Sequence, residues 1–224
     1  MTRQMSLEIQ DISVRIARRW VLSGLSFSVE EPGALVMLTG DNGAGKSTLL
    51  RVIASVLRPQ RGKVSWKNLQ ASSDWSYRRK VGWLPHEGLH YGELSARQNL
   101  DIVLATAGAS KVEGDALLER VRLQAHAQRP VEGFSAGMRR RLGLAKLLAW
   151  KPELALLDEP RAQLDQEGMN LIDQVVDELR AQGTTVVMAT HEPEYWKQAA
   201  SCHVHLRGGR LASFESLASK EVVA

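Results

Sequence analysis

The chain has a single cysteine, Cys202, among its 224 residues. No internal disulfide can form, which points to a reducing compartment. No apolar run approaches the roughly 18 consecutive residues that a membrane-spanning helix requires. The opening residues, Met1-Thr2-Arg3-Gln4-Met5-Ser6, lead into no apolar core of signal-peptide length. An excess of one charge is also lacking. With 29 basic residues against 25 acidic ones the net charge is +4. That is too mild to argue for nucleic-acid binding, although a weakly basic face suits an anionic membrane surface. There are no internal repeats or low-complexity stretches. What is present, 44% hydrophobic and 24% charged residues, is ordinary for a soluble globular protein. A chain of this length buries one good core with room for a lobe or insertion. The expectation is a cytoplasmic protein that meets any membrane through a partner.

The densest pattern is Gly40-Asp41-Asn42-Gly43-Ala44-Gly45-Lys46-Ser47-Thr48, a complete G-x-x-x-x-G-K-[ST] phosphate loop. The apolar run from Ala34 to Thr39 reads as a buried strand before it. Leu49, Ile53 and Val56 recur at helical spacing after it. Strand, loop and helix together aim backbone N–H groups and the positive end of a helix dipole at one point. Lys46 adds a mobile cation for the outer phosphates, and Ser47 offers a hydroxyl to Mg²⁺. The stretch predicts a nucleoside triphosphate site.

Upstream, Leu7 to Val14 reads as a strand with an irregularity at Gln10-Asp11. Leu25, Phe27 and Val29 alternate in a second strand, and residues 15–20 form the hairpin connection. Trp20 in that connection either stacks on a base or, the weightier alternative, packs as partial core. Downstream, Lys63 to Trp66 is a short strand, and residues 72–80 form an exposed helix capped near Ser73. Val81 to Leu84 is a strand running into Pro85-His86-Glu87-Gly88. From residue 88 to 133 strand patterns give way to helices. One is capped by Ser95, with Leu100, Val103 and Leu104 inward, and another covers Glu113 to Gln124. Phe134-Ser135-Ala136-Gly137-Met138 precedes a long helix with Leu142, Ala145, Leu148 and Ala149 inward. Arg139-Arg140-Arg141 opposes the dipole at its start. Either an anionic partner or a solvated face explains the cluster, and a solvated face is expected for Arg140 and Arg141 individually.

Leu154 to Leu157 is a second buried strand, ending in Asp158-Glu159-Pro160, and Thr184 to Ala189 is a third, ending in Thr190-His191-Glu192-Pro193. Open parallel sheets bind ligands beyond the carboxyl ends of their strands. The phosphate loop, Asp158-Glu159 and His191 all fall there. Asp158 can hold Mg²⁺ through water and Glu159 can polarise an attacking water. The competing role for this carboxylate pair is a helix cap. His203 and His205 alternate along a last strand, but no further ligand follows at metal spacing, so structural roles are expected.

In order and spacing these motifs resemble the ATP-binding subunits of ABC transporters, over nearly the whole chain. Gly40 to Thr48 is similar to the Walker A loop, and Leu154 to Glu159 to Walker B with its catalytic glutamate. Phe134 to Met138 is similar to the LSGGQ signature, Leu164-Asp165 to the end of the D-loop, and His191 to the switch histidine. The resemblance implies an α/β P-loop NTPase in a single domain, residues 1–224. Its core would comprise about residues 1–87 and 134–224, with a small antiparallel β subdomain. An α-helical lobe, about residues 88–133, would be inserted in it. It implies hydrolysis of ATP with Mg²⁺, with Glu159 and His191 at the chemistry. It also implies a sandwich of two copies, in which Ser135, Ala136 and Gly137 of one chain, with Asp165 nearby, close on the phosphate held by Lys46 of the other. The partners implied are that second copy and integral membrane subunits, with no direct nucleic-acid contact. The location implied is the cytoplasmic face of the inner membrane.

Several positions depart from the family pattern. His86 stands at the glutamine of the Q-loop, and a histidine there changes charge near neutral pH. Ile16 lies where an aromatic often stacks on adenine. Phe134, Ala136 and Met138 replace Leu, Gly and Gln of the signature, and Met138 removes a polar side chain at the helix start. Arg161 occupies a D-loop position commonly given to a small or hydroxyl residue. The stretch His86 to Leu100 and the run F-S-A-G-M-R-R-R are similar to the ATPases of haem exporters in cytochrome c maturation, which implies haem-pathway partners. Haem itself is not expected on this chain, and His86 and His90 are not read as its ligands. The alternatives are the ATPase of another exporter, of drugs or lipids, and a soluble non-transport ABC ATPase. The second is disfavoured by the single site and compact lobe. A small P-loop kinase would leave the signature-like run unexplained.

Overall fold

Two sheets share the chain, and the order of elements shows how. The computed structural model describes residues 7–71, 74–108 and 110–217. It runs β1 (Leu7–Ile16), β2 (Arg19–Val29), β3 (Leu35–Gly40), α1 (Lys46–Ile53), β4 (Arg61–Trp66), β5 (Leu69–Gln70), α2 (Trp75–Lys80) and β6 (Val81–Leu84). Then follow α3 (Ala96–Ala107), α4 (Lys111–Arg120), α5 (Ala136–Trp150), β7 (Leu154–Asp158), α6 (Gln166–Ala181), β8 (Thr185–Ala189), α7 (Pro193–Trp196), β9 (Cys202–Arg207) and β10 (Arg210–Ser216).

The smaller sheet is antiparallel, in the order β2-β1-β4-β5. Its β1–β2 hairpin is longer than alternation alone suggests. The connection shrinks to Ala17 and Arg18, both at positive φ, so Arg15, Ile16, Arg19 and Trp20 are strand residues. The expected irregularity near Asp11 is present: pairing shifts between Ile9 and Ile12, and Asp11 has φ 46°.

The larger sheet has the order β10-β9-β3-β8-β7-β6, with β3, β6, β7, β8 and β9 parallel and β10 antiparallel at one edge. Every residue of β7 and β8 is buried, because helices or the second sheet cover both faces. Val36, Leu38, Leu156 and Val187 pack toward Leu49, Leu50 and Ile53 of α1 and the smaller sheet. Their neighbours Leu35, Met37, Leu157 and Met188 face the cluster built from α3, α5 and α6, with Leu100, Leu142, Ala145 and Val176. Alternation along each strand thus feeds two cores.

Several boundaries differ from expectation for physical reasons. Helix α1 stops at Ile53, because Ser55 takes φ 59° and turns the chain, so Val56 is exposed rather than on the apolar stripe. Helix α4 ends at Arg120, not Gln124. Val121 and Leu123 are buried from a turn, and Gln124–His126 is a 3₁₀ segment. Helix α2 begins at Trp75, and the expected cap at Ser73 lies outside the described residues. Helix α5 buries Leu142, Leu144, Ala145, Leu147 and Ala149, with Leu148 only partly covered. No helix among the described residues is long and apolar enough to cross a membrane.

Candidate active site

The parallel strands all end on one side, and four of their loops meet there. An open cleft of about 280 Å³ is lined by residues 42–48, Val21, His86, Asp158, Glu159 and His191. The phosphate loop follows β3, His86 follows β6, Asp158 closes β7 and His191 follows β8. Residues 42 and 191, which are 149 apart by numbering, thus share one rim of the sheet.

The loop's shape depends on glycine at two points. Gly45 caps α1 at φ 104°, and a Cβ there would lie 2.5 Å from Leu22 Cδ2. Gly40, at φ 143°, would place a Cβ 2.3 Å from the Leu206 carbonyl. With no side-chain cap on α1, its first N–H groups stay directed at the cleft. Lys46 is buried and donates from Nζ to the Gly40 carbonyl at 2.7 Å and the Asp41 carbonyl at 3.4 Å. The ammonium is thereby held over the loop it belongs to. Ser47 Oγ donates to Asp158 Oδ1 at 3.1 Å, so a hydroxyl and a buried carboxylate sit side by side.

Glu159 is held from both sides. Its backbone sits at φ 50°, and its N–H donates to the Ala189 carbonyl at 3.0 Å. Its carboxylate accepts the His191 N–H at 3.1 Å on Oε2, and His191 Nε2 lies 3.2 Å from Oε1. Burial raises its pKa above the usual carboxylate range, against the opposing pull of His191 and Lys46. A carboxyl raised in this way is a better proton acceptor when ionised. His86 is exposed on the same cleft.

The signature residues lie elsewhere. Ser135 caps α5 by accepting the Met138 N–H at 3.2 Å, Ala136 begins the helix, and Gly137 follows, but none lines the cleft. A Cβ on Gly137 would stand 3.2 Å from the Gln163 carbonyl. Asp165 caps α6 through the Gly168 N–H at 2.8 Å and also accepts from Arg141 Nη2 at 2.8 Å. Those contacts hold its carboxyl below the usual range, the Gly168 N–H first and Arg141 second. Signature and D-loop thus form one patch apart from the chain's own Lys46.

Two side chains, Trp20 and Arg140, depart from expectation. Trp20 is half exposed and lies under the Arg15 guanidinium, 5.7 Å from its ring centroid. It lines a separate cavity with Arg61 and Arg210, so it neither borders the phosphate cleft nor packs as core. Ile16 is exposed. Arg140 is the largest correction: it is 5% exposed, and all its contacts are carbonyl oxygens of the loops around the cleft. The signal for this is its spacing. Arg140, Leu144 and Leu147 fall at i, i+4 and i+7, on the buried stripe of α5. His203 Nε2 and His205 Nδ1 both bond Thr39 Oγ1, at 2.7 and 2.9 Å, and among the described residues no cluster of three or more metal-ligating side chains forms.

A phosphate loop on a parallel sheet, facing an Asp-Glu pair and a histidine, defines a nucleoside-triphosphate hydrolase of the P-loop class. Residues 22–162 match the ABC transporter family. The chain is 36% identical over 189 residues to the cytochrome c biogenesis ATP-binding export protein CcmA 2 of Salmonella paratyphi A, covering 84% of this chain and 90% of that one. It is 32% identical over 187 residues to the lantibiotic transport ATP-binding protein SrtF of Streptococcus pyogenes, covering 83% and 80%. Among solved structures, an ATP binding subunit of an ABC transporter matches with TM-score 0.86 at 28% identity, covering 95% of this chain and 90% of that one. A bacterial Atm1-family ABC exporter with ATP bound shares the fold, at TM-score 0.81 and 22% identity over 97% of this chain and 39% of that one. The chain belongs to the ABC transporter family and is an ATP-binding, ATP-hydrolysing subunit of such a transporter.

Proposed function

We propose that Glu159 activates the attacking water, that His191 orients it, and that the site closes only against a second copy of the chain. The observation that carries this reading is the Glu159 carboxylate, raised by burial and gripped by His191 beside Lys46. General-base assistance of this kind contributes about 10²–10⁴ in rate. Backbone N–H groups of residues 40–48, with Lys46, would bind the phosphates of ATP, and His86 would sense them. Mg²⁺ fits the donors present, because Ser47 Oγ and Asp158 Oδ1 are hard oxygens 3.1 Å apart. When bound, the ion would neutralise charge on the phosphate oxygens.

Ser135, Ala136 and Gly137 would act in trans, joined by Asp165 of the same patch. Their exposed helix start lies off the cleft of their own chain, which supports a second copy as its target. In this reading residues 1–224 form one ABC domain, with residues 88–133 as its helical lobe. The domain would lie against integral membrane subunits on the cytoplasmic face of the inner membrane. The transport reading favoured is haem handling in cytochrome c maturation, supported by the 36% identity to CcmA 2 across most of both chains. Export of another cargo is the second reading, favoured by the likeness to the lantibiotic protein SrtF.

Two measurements test these assignments. Glu159→Gln should retain ATP and lower steady-state phosphate release at least about 100-fold; equal rates in both proteins would remove Glu159 from the chemistry. The tagged chain, purified from its native membranes, should bring down haem-pathway membrane subunits. Recovery of a different exporter's membrane subunits instead would transfer the function to the second reading.

A further inference from the structure

Arg140 makes contacts that no bound substrate requires. Its side chain leaves α5 one turn from the helix start and enters a ring of main-chain carbonyls. Nη2 donates to the Asp158 carbonyl at 2.5 Å and the Glu159 carbonyl at 2.6 Å. Nε donates to the Pro160 carbonyl at 3.2 Å. Nη1 donates to the Pro85 carbonyl and, at 3.5 Å, to that of His86. A guanidinium has five N–H donors in a planar fork, and these contacts supply a carbonyl for each.

The arrangement solves two problems at once. A buried cation without a bonded carboxylate is expensive, and burial pulls this one down to about 10 despite the opposing influence of Asp158 and Glu159. It remains viable because every donor is satisfied. Glu159 meanwhile holds φ 50°, a left-handed conformation that disfavours a residue with a Cβ. Carbonyls at residues 158, 159 and 160 are all fixed by the one guanidinium, which over-determines that backbone. The same group fixes the start of the loop that carries His86.

We propose that Arg140 is a positioning residue that locks the His86 loop and the Glu159 loop into one unit, so that displacing the first misplaces the carboxylate of the second. This rests on the reading of Glu159 as the water-activating group. The two loops can separate only by stripping donors from a buried cation, so they move together or not at all. A membrane partner or nucleotide that shifts residues 85–86 would thereby set the position of Glu159 without touching it. Lysine cannot substitute, because a compact ammonium with three donors cannot span both loops.

The test uses the full chain with Mg²⁺ and ATP, and three readouts. Arg140→Lys should lower kcat about 10–100-fold, as an ångström-scale misplacement does, while the KM for ATP changes less than about threefold and Tm shows a folded protein. In the wild type, amide hydrogen exchange of residues 86–88 and of residues 159, 161 and 162 should proceed at a common rate, the two loops opening as one segment. In Arg140→Lys the two segments should exchange independently. Wild-type kcat in Arg140→Lys, or a kcat loss matched by equal loss of ATP affinity, overturns the proposal. So does independent exchange of the segments in the wild type, a readout that stands even if every Arg140 variant fails to fold. If common exchange is found while Glu159→Gln hydrolyses ATP normally, the lock survives and the catalytic reading of Glu159 fails.

Discussion

Helices α3 and α5 both begin with serine, and they diverge three residues later. Ser95 accepts the Gln98 N–H, and Gln98 Oε1 accepts the Ser95 N–H in return at 2.9 Å, a closed capping box. Ser135 accepts the Met138 N–H, but Met138 has nothing to return, and Ser135 is exposed. Helix α4 closes like α3, through Ser110 and Glu113, whereas α1 starts at Gly45 with no side-chain cap. A capping box consumes donors that an anion would otherwise use. Of the two starts proposed for phosphate, α1 has no side-chain cap and α5 gives up only the Met138 N–H, to Ser135, whereas α3 and α4 each close a full box on their own side chains.

The strongest way to break this contrast is at α1. Lys46→Ala removes the buried ammonium that bridges the Gly40 and Asp41 carbonyls. Hydrolysis should fall at least about 10²–10³-fold, the loss typical of a deleted oxyanion donor, with weaker ATP binding by titration. Retained turnover would mean that the open start of α1 is not where the phosphates sit.

The two serines then make a matched pair. Ser95→Ala should destabilise the fold by about 1 kcal/mol, seen as a lower urea midpoint, and leave turnover unchanged. Ser135→Ala should cost less stability, because its cap is exposed and single. Its turnover should fall about tenfold or more, the size of one lost hydrogen bond to a charged group. The contrast collapses if both variants behave alike in both assays.

Much of the cleft is legible in the amino-acid sequence. The phosphate loop, Asp158-Glu159 and His191 each terminate an apolar run of strand length, and such runs are local signals. Placing them at one sheet edge needs only the rule that parallel strands bind ligands at their carboxyl ends. What local pattern misses is decided by packing across the chain. Arg140 reads, with Arg141, as a solvated arginine when charge is weighed above its position on the stripe with Leu144 and Leu147. The hairpin turn at Ala17-Arg18 is hidden because neither residue is one of the usual partners of positive φ. The end of α4 is overrun because Val121 and Leu123 continue an apolar pattern from outside the helix.

Two histidines of one loop sharpen the contrast through pH. His86 is exposed on the cleft, whereas burial, and then the Lys146 ammonium, push His90 down to about 4. The folded state therefore holds the His90 proton less tightly than the unfolded chain does. Its contribution to stability is complete above about pH 6.5 and is lost as pH falls toward 4. Between pH 7.5 and 5 the wild type should lose about 1–2 kcal/mol more than His90→Leu, compared by urea midpoints. Parallel losses in the two proteins would place the acid sensitivity elsewhere.

The smallest effect is the most direct test of the difference between α3 and α5. Met138→Gln puts at the third position of α5 the residue that closes α3. Its amide should reach the Ser135 N–H, since Ser135 already has extended backbone, φ −64° and ψ 163°, like Ser95 at φ −66° and ψ 163°. A new box should raise Tm by about 1–3 °C in a chain of this size and slow amide exchange at Ser135. The Ser135 hydroxyl and the Gly137 N–H stay unaltered, so turnover should change less than about threefold. If Tm and exchange are unmoved, the third position does not decide which helix starts stay open. The exposure of Ser135, against the burial of Ser95, would then be the cause.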